Sequence, residues 1–152
     1  MSEANKALAR RWFQEVWNDG NEATIDELAN DDTVAHGLAE SDIDTIGMAE
    51  FKVFHRQMLN NIGGLHIELE DVIAEGDQVA VRLLLTGVHA GGGMGVAATG
   101  NRIRIAGIVT MRIKDGQIVE AYNSWDQLGL LRQIGALPAI ARHEDRFLTQ
   151  SA

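Results

Sequence analysis

The feature that most restricts this chain is a change in hydrophobic period near residue 64. Upstream, apolar residues recur every three to four positions, and downstream they alternate every second position. Between Ala4 and Asn18 the residues Ala7, Leu8, Trp12, Phe13, Val16 and Trp17 share one helical face, with Lys6, Arg10, Arg11, Gln14 and Asn18 opposite. Asp19-Gly20 ends that helix. Thr24 to Ala29 reads as a short second helix with Thr24 as N-cap and Asp26-Glu27 in its first turn, leading into Val34-Ala35-His36. A third helix is expected from about Thr45 to Leu59, with Met48, Phe51, Phe54, His55 and Met58 on one side and Asn60, Asn61, Gly63 and Gly64 closing it.

The alternating half contains four strand candidates: Leu65 to Ala74, Gln78 to His89, Arg102 to Lys114 and Gln117 to Asp126. Gly76-Asp77 joins the first pair and Asp115-Gly116 the last, both two-residue hairpin signals. The glycine-rich Ala90 to Gly100 lies between the middle pair and reads as either a mobile rim loop or a plain connector. Helices followed by a meander imply a single α+β domain over residues 1–152, a curved antiparallel sheet covered on one side by the N-terminal helices. One helical layer leaves strand residues such as Val79, Val81, Leu83 and Val109 without a second cover, which predicts a homodimer through the exposed sheet face.

Composition removes several classes of function. Hydrophobic residues make up 45% of the chain, but apolar runs are only a few residues long, too short for a span of about twenty. The opening MSEANKALARRW turns at once into a helical pattern with no apolar signal core, so a soluble, cytoplasmic protein without a membrane partner is expected. The absence of cysteine excludes disulfides, thiolate metal sites and cysteine nucleophiles. With 22 acids against 13 bases, a net charge of -9 and no basic cluster beyond Arg10-Arg11, nucleic acid is a poor partner.

Asp126 stands where the last strand gives way to a Leu-rich helix, one residue after Trp125 and four after Tyr122. Two readings stand side by side. An apolar wall of Tyr122, Trp125, Leu128 and Leu131 can desolvate the carboxylate, raise its pKa and make it a general base. Alternatively, Asp126 caps the helix beginning at Gln127. The side chains that share its face depend on the Asp115-Gly116 turn. A two-residue loop sets Ile105 opposite Asp126, with Val109 and Met111 on that face. A three-residue loop with Gly116 as bulge gathers Arg104, Ile108, Thr110 and Arg112 with Tyr122, Ser124 and Asp126. The second register is favoured, because it leaves Val109, Met111, Ile113, Val119 and Ala121 together for packing. His55 reads as packing on its helix, and His66 and His143 as exposed; no spacing suggests a metal site.

Trp12-Phe13 with Trp17-Asn18, DVIAEGDQVAVRLLLTGVHAG from Asp71, AATGNRIRI from Ala97 and RIKDGQIVEAYNSWDQLGLLRQIG from Arg112 together resemble the SnoaL-like polyketide cyclases, of the NTF2-like superfamily with its cone-shaped α+β fold. The resemblance covers nearly the whole chain. It implies a cofactor-independent cyclase or isomerase that closes a ring of a hydrophobic polyketide-like carbonyl compound by intramolecular aldol condensation, with Asp126 as acid/base. On the same ground His36, His89, Thr110, Arg112, Tyr122, Trp125 and Phe51 become candidate substrate-binding residues. Thr110 and Arg112 occupy the stretch where the family's cyclase site includes a histidine. Two alternatives remain: an epoxide hydrolase of the limonene-epoxide type, in which Arg104 or Arg112 would have to bridge two pocket carboxylates, and a non-catalytic ligand-binding or dimerisation module.

Overall fold

A computed structural model describes residues 2–38 and 44–138. His143 lies outside the described residues. The first helix, α1 (Ser2–Arg11), continues directly into a π-helical segment, Trp12–Asn18. In that wider winding Trp12, Phe13, Val16 and Trp17 are all buried, and the carbonyl of Val16 is free to accept a hydrogen bond from His55 Nε2 at 2.6 Å. His55 lies on α3 (Gly47–Asn61), is 1% exposed and packs edge-on to Trp17 at 5.0 Å between ring centroids. That bond and ring contact pin the third helix to the first.

The second helix, α2 (Ala23–Leu28), begins one residue before the expected position, and Thr24 does not cap it. The Thr24 hydroxyl donates to Glu15 Oε1 at 2.9 Å, and the Asn21 side chain accepts the first free N–H of the helix, from Ala23. Arg11 joins the same corner, donating to Glu15 and to Glu27. The third helix starts at Gly47 because Thr45 belongs to a strand.

The sheet has six strands: β1 (Val34–His36), β2 (Asp44–Ile46), β3 (Ile62–Glu75), β4 (Gln78–His89), β5 (Arg102–Lys114) and β6 (Gln117–Trp125), in the order β2-β1-β6-β5-β4-β3. The four long strands form the expected meander, and β1 adds a parallel edge to β6, with Ala35 beside Ala121. Asp115 and Gly116 both have positive φ, at 52° and 73°, as a two-residue hairpin turn demands. Lys114 faces Gln117 and Ile113 faces Ile118, but Arg112 faces Glu120, so Val119 is an extra residue. This bulge restores the expected grouping of polar residues by a different route, with Thr110 facing Tyr122 and Ile108 facing Ser124, but Ile118 takes the packed place expected for Val119.

The helices cover the inner face of the sheet. Val79, Val81 and Leu83 are 0% exposed and Val109 is 2% exposed, packed beneath Trp12, Phe13, Val16 and Trp17. The expectation that these valines and leucines form an uncovered outer face is therefore corrected. The outer face carries Ile108 and Tyr122, both about half exposed, with Arg82, Arg102 and Arg104. No helix among the described residues is long and apolar enough to cross a membrane.

Candidate functional site

Between the helical layer and the inner face lies a cavity of about 520 Å³, within the range of small-molecule sites. Its helical wall is aromatic and sulfur-rich: Trp12, Phe13 and Trp17 from the first segment, and Met48, Phe51, Phe54 and Met58 from α3. Phe51 is the hub, 5.3 Å from Trp12 and 6.0 Å from Trp17. Methionines give this wall adaptability, since their unbranched thioethers fit irregular shapes. The sheet wall brings Leu85, Ile105, Met111, Ile118, Ala121 and Trp125. Gly107 makes room for Trp125, because a Cβ there would lie 2.7 Å from the indole ring.

Among the described residues, the polar side chains on the cavity wall are all uncharged: Thr33, Thr45, Asn123 and Gln127. Thr33 is occupied structurally, its hydroxyl donating to the Ile118 carbonyl at 2.6 Å. Asn123 Nδ2 donates to the His36 carbonyl at 2.9 Å. The rim opposite is the glycine-rich loop, from which Gly93 and Met94 reach the cavity. Asn61 at the end of α3 holds that loop: its side-chain Oδ1 accepts from Gly93 N at 3.1 Å and its carbonyl from Ala90 N at 2.8 Å.

Of the residues singled out from sequence, Trp125 and Phe51 line the cavity. Asp126 does not. It is exposed, and its Oδ1 accepts from Gly129 N at 2.8 Å as the N-cap of α4 (Gln127–Gln133). Glycine at 129 makes room for the cap, since a Cβ there would sit 2.2 Å from Asp126 Oδ2 and displace the carboxylate. The expected apolar enclosure of the carboxylate is not formed, because Tyr122 and Leu128 are both about half exposed and Tyr122 points to the other side of the sheet.

Thr110, Arg112 and Tyr122 lie together on the outer face, with Gln78 and Glu120, around a recess of only about 30 Å³. Arg112 donates to both carboxylate oxygens of Asp77 at 3.0 Å. His36 joins this group from β1 and not the cavity, stacked on Tyr122 at 4.3 Å. Its Nδ1 lies 2.7 Å from Asp44 Oδ1 and its Nε2 2.9 Å from Glu120 Oε2. Glu120 first and then Asp44 raise its pKa above the usual histidine value. His89 is fully buried at the end of β4 without lining the cavity, and its Nδ1 accepts from the backbone N–H of Thr99 at 3.2 Å.

Sequence reasoning missed Thr45, Asn123 and Gln127. For Asn123 the signal was present, since it shares strand parity with Ala121 and Trp125; Thr45 was hidden because a three-residue strand carries no readable period. Among the described residues, no group of three or more His, Cys, Asp or Glu is arranged to hold a metal ion.

The model of the SnoaL-like polyketide cyclases matches residues 7–134. The chain belongs to that family. Solved structures agree on the fold. A protein assigned as a SnoaL-like polyketide cyclase from Jannaschia Sp. CCS1 is similar with a TM-score of 0.80 and 26% identity, covering 90% of this chain and 95% of that one. AclR from Streptomyces galilaeus, assigned as a hydroxylase, aligns with a TM-score of 0.86 and 25% identity over 99% of this chain and 93% of its own. TsrD from Streptomyces laurentii shares the fold with a TM-score of 0.78 and 23% identity, covering 90% of this chain and 98% of that one. No curated protein matches the chain.

Proposed function

We propose that this SnoaL-like protein takes a hydrophobic, polycyclic or polyketide-like carbonyl compound into its cavity and promotes an intramolecular aldol-type ring closure without a cofactor. The observation that carries this reading is the cavity itself, large enough for a multi-ring compound and walled by all three tryptophans of the chain. Relatives assigned as cyclases and as a hydroxylase act within the same fold, and the family match favours cyclisation. Holding a flexible chain folded against a rigid aromatic wall brings its reacting carbons together and removes much of the entropic barrier.

The reaction needs a base to take a proton from the carbon beside a carbonyl and an acid to return it to the new alkoxide. Asp126 is the proposed group for both, being flanked in sequence by the cavity-lining Trp125 and Gln127. To act, its carboxylate must leave the Gly129 N–H, at a cost of about 1 kcal/mol for the cap. The cap itself favours a second reading, in which the cavity binds its compound without turning it over. The epoxide hydrolase reading gains no support from the cavity wall, where no arginine or carboxylate stands among the described residues.

Asp126→Asn decides between the two, since asparagine caps a helix about as well as aspartate but takes up no proton. Loss of turnover with unchanged ligand binding and melting temperature supports the acid/base role; full turnover in the variant removes it. Ligand binding by both forms with no turnover by wild type supports the binding module. We also propose that a second copy of the chain covers Ile108 and Tyr122 on the outer face, which sedimentation would test; a concentration-independent monomer would refute it.

A further inference from the structure

Of the polar groups facing the cavity, Asn123 has its orientation determined by the fold while keeping one end of its amide unpaired among the described residues. Only the amide nitrogen can donate to a carbonyl, so the 2.9 Å bond to the His36 oxygen identifies Nδ2 and leaves Oδ1 as the other end of the amide. Nothing among the described residues donates to that Oδ1. The hydroxyl of Thr45, on the same wall two strands away, makes no hydrogen bond among the described residues. Thr45 faces Ala35 and Ala35 faces Ala121, so an alanine shelf separates these two polar groups. The remaining lining is apolar or, at Thr33 and Gln127, already engaged, with Gln127 Nε2 donating to the Leu38 carbonyl at 3.4 Å.

We infer that Asn123 is the specificity-determining residue of this cavity and that it selects an uncharged ligand bearing a phenolic or enolic hydroxyl, whose O–H donates to Asn123 Oδ1. Thr45 takes a second oxygen of the same ligand across the alanine shelf. This deepens the function proposed above and rests on it. The physical basis is the cost of an unmet acceptor. A ligand without a donor desolvates Oδ1 and gives nothing back, whereas a hydroxyl restores the bond that water made. A carboxylate ligand fares worst, because it meets an acceptor and, among the described residues, no cation on the wall, and so loses its hydration uncompensated.

Three probes of one shape test the inference on the intact protein: 9-phenanthrol, 9-methoxyphenanthrene and phenanthrene-9-carboxylate. Calorimetric titration gives each affinity, and quenching of Trp12, Trp17 and Trp125, which all line the cavity, reports that the probe sits there. The phenol is expected to bind about tenfold more tightly than its ether, and the carboxylate about a hundredfold more weakly than the phenol. In Asn123→Leu the phenol-to-ether ratio should fall to near one, whereas a purely structural role would weaken both probes alike and leave the ratio unchanged. Asn123→Ala serves as the milder variant should Asn123→Leu fail to fold, and should likewise bring the ratio close to one. Equal affinity of wild type for phenol and ether, or preference for the carboxylate, would overturn the inference while leaving the cavity as a binding site. If none of the three binds, the cavity reading fails and this inference with it.

Discussion

On the inner side of the sheet, Leu85, Ile105, Met111 and Ala121 meet Trp17 and Phe51 across a cavity whose wall carries no charge among the described residues. On the outer side the same strands carry Arg104, Thr110, Arg112, Glu120 and Tyr122; Arg112 pairs with Asp77, Glu120 pairs with His36, and His36 stacks on Tyr122. The two faces differ because β-strand side chains alternate, so each strand delivers one chemistry inward and the other outward. A cavity built this way offers a ligand shape and neutral hydrogen-bonding groups. Charge is spent on holding the sheet edge together.

The largest contrast between the faces should appear in stability. Trp17→Ala removes the indole that packs on Phe51, Phe54 and His55, and should cost about 3–5 kcal/mol in denaturant unfolding. Ile108→Ala on the outer face should cost only about 0.5 kcal/mol. Similar losses at both would break the contrast and mean that the outer face is covered. At the junction of the two faces, Asp126→Ala should cost about 1 kcal/mol while Asp126→Asn costs little, because what the fold uses there is the cap. An equal loss in both would show that the charge matters.

The rim should separate in kinetics more than in stability. A Cβ at Gly93 would press on Asn61 Oδ1 at 2.6 Å, whereas at Gly92 its nearest neighbour is 3.7 Å away. Gly93→Ala should therefore change probe association and dissociation rates several-fold and Gly92→Ala hardly at all, as stopped-flow tryptophan quenching would read. Identical rates in both variants would make the loop a passive connector.

The smallest effect belongs to His36. Its folded pKa is raised by Glu120 and Asp44, so the stabilisation is fully present below the unfolded value of 6.5 and is lost as pH rises through the folded value. Melting temperature should fall across that window in wild type and flatten in His36→Gln, by an amount worth under about 1 kcal/mol for partly exposed pairs. A slope that survives in the variant would assign the titration elsewhere.

The strands β4 and β5 were legible to the residue because twelve or more alternating positions between turn signals leave little freedom. The edge strands β1 and β2 were not, since three residues carry no period and their pairing is set by distant partners. The grouping of Thr110, Arg112 and Tyr122 was also legible, but not its side of the sheet. The preference for setting polar residues beside Asp126 outweighed the run of Ile103, Ile105, Val109, Met111 and Ile113, which marks the odd positions as inner. Phe51 and Trp125 could be found because large aromatics at helical spacing or at a strand end serve core and cavity alike. Asp126 shows the limit of such reading: a cap and a general base call for the same residue at the same place.

The wide winding of residues 12–18 makes this fold unusually sensitive to chain length at one point. Deleting a single residue there would let the segment relax into an ordinary α-helix, with backbone hydrogen bonds intact and circular dichroism nearly unchanged. Every residue on the N-terminal side would nevertheless turn by about 100° and shift by about 1.5 Å relative to the sheet. Ala9, now 0% exposed, would rotate off its site, and a larger or charged neighbour would arrive in its place. The segment thus tolerates no change in spacing, so a frame-preserving deletion there would be silent in helix content and ruinous for the cavity.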